Sequence, residues 1–405
     1  MPPPDATSPP RWRSLFGPIQ PDAPDSEAND PSADEASFRA ILEALPDPLV
    51  VVAGLPDQRS TRRVVFANAA AQRLFRAAAP GARLTAAIRR PEILEAVDES
   101  LFGASGEAAF QDGERQWSVR TRPAGELPGG ERLAMIAMRD ETELHAADRT
   151  RADFLANASH ELRTPLASLS GFIETLRGHA RDDAGAREKF LGIMQAQAER
   201  MARLIDDLLS LSRIELNEHI APAGRVDLAL AATDVVDALV PLVREKTVTL
   251  SPSLPPRGQA VVEGDRDQIV QVAQNLVENA VKYAPIGGTV RIEVSIAESI
   301  ESALKPRDPK AVRFVLVEPA RGDVVRYAAL RIADDGPGIP RDRLPRLTER
   351  FYRVEGQKSG ERSGTGLGLA IVKHIVNRHR GALMVESREG HGTAFTACFR
   401  LTSKP

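Results

Sequence analysis

Only one cysteine, Cys398, occurs in 405 residues, so no disulfide can close within the chain and a secreted, disulfide-held scaffold is excluded. A basic excess is also lacking. Lys and Arg number 53 against 56 Asp and Glu, a formal net charge of −3, which argues against a surface that tracks nucleic acid. Long apolar runs are missing too. Stretches such as Leu49 to Gly54 fall far short of the roughly 20 apolar residues that span a bilayer. The expected location is therefore the cytoplasm, with any signal arriving inside the cell. At this length, two to four compact units are expected.

Residues 1–35 are rich in Pro, Asp, Ser and Ala with few large apolar side chains, a composition that predicts a disordered tail. From Ala36 to about Asp140, short apolar runs (Leu49 to Val52, Val64 to Ala67, Gln116 to Arg120, Leu133 to Met138) flank helical stretches at Asn68 to Phe75 and Glu92 to Phe102. A small α+β domain is expected over 36–140. Two long helices follow over 141–218, broken at Gly178 to Gly185 with Asp182 and Asp183 as caps. Leu155, Leu162, Leu166, Leu169, Phe172, Ile173 and Leu176 form an apolar stripe on the first, and Phe190, Met194, Met201, Leu204, Ile205, Leu208 and Leu211 on the second. A hairpin cannot bury so broad a stripe alone, so two copies pairing into a four-helix bundle is expected. Over 224–403 helices (Leu228 to Lys246, Asp265 to Tyr283, Leu367 to Arg378) alternate with strands (Thr289 to Ile296, Ala311 to Val317, Ala328 to Ala333, Leu383 to Ser387, Thr393 to Arg400), with an irregular insertion at Ala297 to Arg326. The whole is a multidomain α+β chain.

Ser159-His160-Glu161-Leu162-Arg163-Thr164-Pro165-Leu166 carries the most chemistry. With Leu162 and Leu166 on the stripe, His160 lies about 200° around the helix and faces solvent. Thr164, four residues on, shares that face, and adjacent Glu161 can orient the ring or take its proton. A neutral imidazole is a competent nucleophile toward phosphorus. Pro165 removes a helix hydrogen bond at a cost of about 3 kcal/mol, which predicts a helix that flexes beside the histidine. His145, His179, His219, His374 and His379 lack this setting and are expected to be ordinary surface residues.

In Gln274 to Tyr283, Asn275 and Asn279 share one helix face, which Lys282 and Tyr283 extend; carboxamide oxygens suit Mg²⁺ and an ammonium suits phosphate. Three glycine clusters follow: Asp334-Asp335-Gly336-Pro337-Gly338-Ile339, Gly364-Thr365-Gly366-Leu367-Gly368-Leu369 and Gly390-His391-Gly392-Thr393. Glycines let amides approach a polyphosphate, and the second cluster opens a predicted helix. Neither the Walker spacing nor a dinucleotide fingerprint is present, so the clusters point to a different ATP site.

In this order the motifs resemble those of the sensor histidine kinases of two-component systems, over about residues 36–403. The resemblance implies a PAS-like sensor, a dimeric helical hairpin and a Bergerat-type α/β-sandwich ATP-binding domain of the gyrase and MutL type. It implies autophosphorylation of His160 with ATP and Mg²⁺, transfer to an aspartate of a response regulator receiver domain, and regulator dephosphorylation with Thr164 positioning the water. It further implies that Asn275 and Asn279 contact Mg²⁺ and phosphates and that Asp334 reads the adenine amino group. Gly336, Gly338 and Ile339 would then shape the base pocket. Gly364, Thr365, Gly366, Leu367, Gly368, Leu369, Thr393 and Arg350 would complete the nucleotide site, and Arg353 to Gly366 would form a mobile lid. Leu347 to Arg353 looks most like the phosphate-regulon (PhoR-type) branch, many of whose members carry membrane helices before the sensor. The sensor, without Cys or His, is expected to relay signals with no bound cofactor, Trp117 packing in its core or edge. A nucleotide-binding scaffold and an ATPase without phosphohistidine are the rival functions.

Overall fold

The computed structural model describes residues 39–178, 181–319, 326–354 and 364–402. The expected tail and much of the expected lid, 355–363, lie outside the described residues. The chain divides into two compact units, Met1–Arg151 and Ala152–Pro405.

In the first unit five antiparallel strands, β1 (Leu49–Gly54), β2 (Arg63–Ala67), β3 (Gly106–Asp112), β4 (Arg115–Glu126) and β5 (Arg132–Asp140), form one sheet in the order β2-β1-β5-β4-β3. Helices α1 (Ala69–Leu74), α2 (Leu84–Ala87) and α3 (Pro91–Leu101) complete it, and Ile93, Val97 and Leu101 share a core with Val50, Val119 and Ile136. Strand β3 escaped the sequence pattern because Phe110 is its only large apolar residue. Asn68 explains the strand-to-helix entry. Fully buried, it caps α1 by accepting from Ala71 N at 2.9 Å, accepts from Leu49 N at 3.0 Å and donates to Asp47 O at 2.9 Å. Trp117 is buried and stacks on Phe110 with centroids 6.2 Å apart.

The second unit holds most of helix α4 (Thr142–Arg177) and all of α5 (Ala184–Leu216). Asp183 caps α5, accepting from Ala186 N at 2.9 Å. Leu204, Leu211 and Ile214 are buried against the domain that follows. Within this single chain Leu155, Leu166, Ile173, Ile205 and Leu209 stay exposed, although each lies near the expected apolar stripe.

Beyond the hairpin, β9 (Thr289–Ala297), β10 (Val312–Val317), β11 (Tyr327–Asp334), β12 (Ala382–Arg388) and β13 (Gly392–Arg400) join β7 (Thr249–Ser253) in a six-stranded sheet of order β10-β12-β13-β11-β9-β7. All neighbours are antiparallel except β7 and β9. Short β6 (Arg225–Asp227) and β8 (Val261–Glu263) pair separately. Helices α8 (Arg266–Tyr283) and α10 (Gly368–Arg378) pack on one face of the large sheet, with Leu330 and Ile332 beneath them. The helix expected over Leu228 to Lys246 is two, α6 (Leu228–Ala238) and α7 (Val240–Lys246). Pro241 in the first turn of α7 has no N–H to continue the ladder, so the chain restarts at Leu239. Part of the insertion has a visible job: β10 is the sheet's edge strand. Helical turn α9 (Ile300–Ala303) and Leu304 cover Tyr327, Ala329, Ala382 and Cys398 on the sheet's other face. Burial there pushes the Cys398 thiol up to about 12, an inert cysteine. Among the described residues no helix is long and apolar enough to cross a membrane.

Candidate functional site

Helix α8 separates its faces cleanly. Ile269, Val272, Ala273, Leu276, Val277, Ala280 and Val281 are buried, while Gln271, Gln274, Asn275, Glu278, Asn279, Lys282 and Tyr283 line a cavity of about 360 Å³. Asp265 starts the helix, accepting from Asp267 N at 3.0 Å. Opposite lie Asp334, Gly338, Ile339, Gly364, Thr365, Gly366, Gly368, Leu369 and Thr393. Three expected site residues stand outside this wall: Gly336, whose amide instead holds Asp334, and Leu367 and Arg350.

Two glycines carry the geometry. Gly338 has φ +72°, and a Cβ there would stand 2.2 Å from Arg388 O, so the loop after β11 can press against the β12–β13 turn only without a side chain. Gly366 has φ +76° and accepts from Phe351 N at 2.9 Å; its Cβ would meet Phe351 Cα at 2.9 Å. The backbone entering α10 is thereby turned toward Asn275, whose Oδ1 lies 3.1 Å from where a Cβ on Gly368 would be.

The polar groups differ in what they offer. Asp334 is 8% exposed and accepts from Gly336 N at 2.8 Å; burial pushes its carboxyl up to about 6. Neighbouring Asp335 is committed to structure, taking Arg291 at 2.7 Å and Thr289 N at 3.2 Å. Asn275 Nδ2 is buried on the cavity wall with no hydrogen-bond partner among the described residues, a donor suited to a ligand oxygen. Lys282 Nζ stands 4.8 Å over the Tyr283 ring and 3.4 Å from the Cβ position of Gly364. Asn275, Asn279 and Lys282 thus fit a magnesium polyphosphate by donor chemistry.

Helix α5 adds Arg200, Arg203, Asp206 and Asp207 to the wall, and Leu347, Tyr352, Val354 and Phe395 add apolar surface. None of the α5 residues was anticipated, nor was Glu278, because on a sequence they look like a solvated helix face. Thr365 Oγ1 donates to Asp207 Oδ2 at 2.6 Å, and burial raises the Asp207 carboxyl above its ordinary value. Arg350 pairs with Glu215 at 2.5 Å and lies over the Phe154 ring at 5.0 Å. These contacts fasten the C-terminal domain to the hairpin.

On α4, His160 and Thr164 are exposed, and Thr164 Oγ1 donates to His160 O at 3.3 Å. Glu161 accepts from Arg200 Nη2 at 3.0 Å. Pro165 is buried and α4 continues through it as one element. Two other histidines are not ordinary surface residues. His374 Nδ1 meets Glu218 Oε2 at 3.1 Å. His379 is 5% exposed, hydrogen-bonds Ile375 O through Nδ1 and accepts from Asp265 N at 3.1 Å; burial lowers its pKa.

Three family models match the chain: a PAS domain over 36–112, the His Kinase A (phospho-acceptor) domain over 150–217, and the Histidine kinase-, DNA gyrase B-, and HSP90-like ATPase over 264–403. The chain is 36% identical over 276 residues to the phosphate regulon sensor protein PhoR of Pseudomonas aeruginosa, covering 67% of this chain and 54% of that protein. It is 32% identical over 280 residues to the sensor histidine kinase WalK of Bacillus subtilis, covering 69% of this chain and 41% of that one. A solved structure of the Acinetobacter baumannii histidine kinase AdeS superposes with a TM-score of 0.42 at 22% identity, over 60% of this chain and 98% of that one. The chain spans about half the length, or less, of the two curated relatives.

Proposed function

With phospho-acceptor and ATPase domains in tandem after a PAS domain, the chain belongs to the sensor histidine kinases, and we propose that it phosphorylates its own His160 from MgATP and passes the phosphoryl group to a response regulator. The observation that carries this is one unit holding both an exposed His160 beside Glu161 and a cavity lined by Asn275, Asn279, Lys282 and the glycine backbone. A ring nitrogen of His160 attacks the γ-phosphorus, the bond to the bridging oxygen breaks with its electron pair leaving on ADP, and Glu161 takes the ring proton. Mg²⁺ would supply charge neutralisation on the phosphates, with Asn275 and Asn279 as its protein contacts. Phosphoryl transfer asks the chain mainly for positioning, which the Lys282 ammonium and the amides around Gly366 and Gly368 provide.

The division that goes with this function is 36–140 for sensing, 141–218 for dimerisation and phosphotransfer and 224–403 for ATP binding. Exposed Leu155, Leu166, Ile173, Ile205 and Leu209 support a homodimer that buries them in a four-helix bundle. Likeness to a phosphate regulon sensor supports a role in that regulon, and ATP as co-substrate supports work in the cytoplasm.

In this scheme Asp334 accepts a hydrogen bond from the adenine amino group, which the carboxylate does better than the acid. Because burial raises its pKa to about 6, nucleotide affinity should fall as pH drops through 6, by up to about tenfold at pH 5. For folding without nucleotide the sign is the reverse, since a raised carboxyl contributes stability at low pH that is lost as pH rises through 6. ADP titrations from pH 5 to 8 check this. A pH-independent affinity in the wild type would remove Asp334 from the base.

Phosphotransfer and dephosphorylation test the function directly. Labelled chain mixed with its receiver domain should lose label from His160 to the regulator. Thr164→Ala should keep most of the autokinase rate yet slow regulator dephosphorylation at least tenfold, about 1.4 kcal/mol of barrier, because its hydroxyl aligns the water. Dephosphorylation at the wild-type rate would return Thr164 to a helix-surface role.

A further inference from the structure

Glu161 and Arg200 stand on opposite helices of the hairpin and meet through Arg200 Nη2 and Glu161 Oε2 at 3.0 Å. Glu161 adjoins the phospho-accepting histidine in sequence, whereas Arg200 forms part of the nucleotide cavity wall. Arg203 and Asp206 share that wall, yet of these three only Arg200 contacts Glu161. Glu161 is the one ion-pair partner of Arg200 among the described residues.

We propose that Arg200 is a positioning residue for phosphoryl transfer to His160, acting through Glu161; this rests on the kinase function given above. A glutamate on a helix surface samples several rotamers, and ordering it costs side-chain entropy. A guanidinium anchored on the facing helix narrows that set, because its donors are fixed in a plane and its charge is permanent. The alternative is an ordinary interhelical ion pair. Such partly exposed pairs add little to stability and nothing to a chemical step, so the two roles separate kinetically.

The test is steady-state autophosphorylation of the 405-residue chain as wild type, Arg200→Met, Arg200→Lys, Glu161→Gln and the double variant Arg200→Met with Glu161→Gln. Arg200→Met should lower kcat at least tenfold, by more than any change in KM for ATP, and Arg200→Lys should recover part of the loss. The double variant should be no slower than Glu161→Gln alone, since the arginine then has nothing left to position. Wild-type kcat in Arg200→Met, a loss confined to KM, or a double variant slowed by the product of the two single losses would overturn the proposal. Any of these with an active wild type leaves the kinase function standing. A wild-type chain that takes up no label at His160 overturns both.

Discussion

His160→Gln abolishes incorporation of the γ-phosphoryl group while ADP affinity stays within about twofold of wild type. A carboxamide offers no basic nitrogen, so at neutral pH nothing at this position can attack phosphorus. Binding survives because His160 is not on the cavity wall, whose donors come from α5, α8, the loop after β11 and the entry to α10. Its exposure also makes the fold insensitive, with a stability change of about 0.5 kcal/mol or less. Radiolabel uptake and an ADP titration on the same preparation check the two halves. Normal uptake would mean that another side chain is the acceptor.

Gly338→Ala should remove nucleotide binding and destabilise its domain together. The added Cβ would lie 2.2 Å from Arg388 O and 2.8 Å from Glu389 Cα, in a backbone with φ +72°. The left-handed conformation alone costs about 1–2 kcal/mol. Displacing the loop from the β12–β13 turn brings the total to roughly 3 kcal/mol or more, which for a domain this size lowers the melting temperature by roughly 6–12 °C. Since Gly338, Ile339 and Asp334 line the same cavity, the shift also distorts that wall, and ADP affinity should fall at least tenfold. Thermal melts and titration give both numbers. A variant that melts and binds like wild type would show that the loop has room the structure denies it.

What could be read from the sequence was what short-range pattern encodes. Asp183 as a cap, the polar strip Asn275 to Lys282 and the glycines that admit backbone approach are each decided by neighbours within a few residues. Long-range decisions were not visible. Arg200 and Asp207 belong to the cavity only because α5 lies against it, and a helix face carrying Arg and Asp gives no hint of that. His379 looked like a surface residue after a helix, yet the fold buries it between Asp265 N and Phe399. The stripe of α4 and α5 predicted burial, but Leu155, Leu166 and Ile173 stay exposed in the single chain, where the proposed dimer would cover them. Strand β3, with one large apolar residue, is set by pairing to β4 rather than by its own periodicity.

The phosphoryl group of ATP should come to rest on a histidine of this chain, and the chemistry of the bond decides it. A phosphoramidate on imidazole is lost in acid and survives base, whereas phosphoserine and phosphothreonine survive acid. The chain incubated with γ-labelled ATP and Mg²⁺ should take up label that is released in acid, is retained in base and maps to the peptide containing His160. Acid-stable label, label on another peptide, or ATP hydrolysis with no label retained would contradict it.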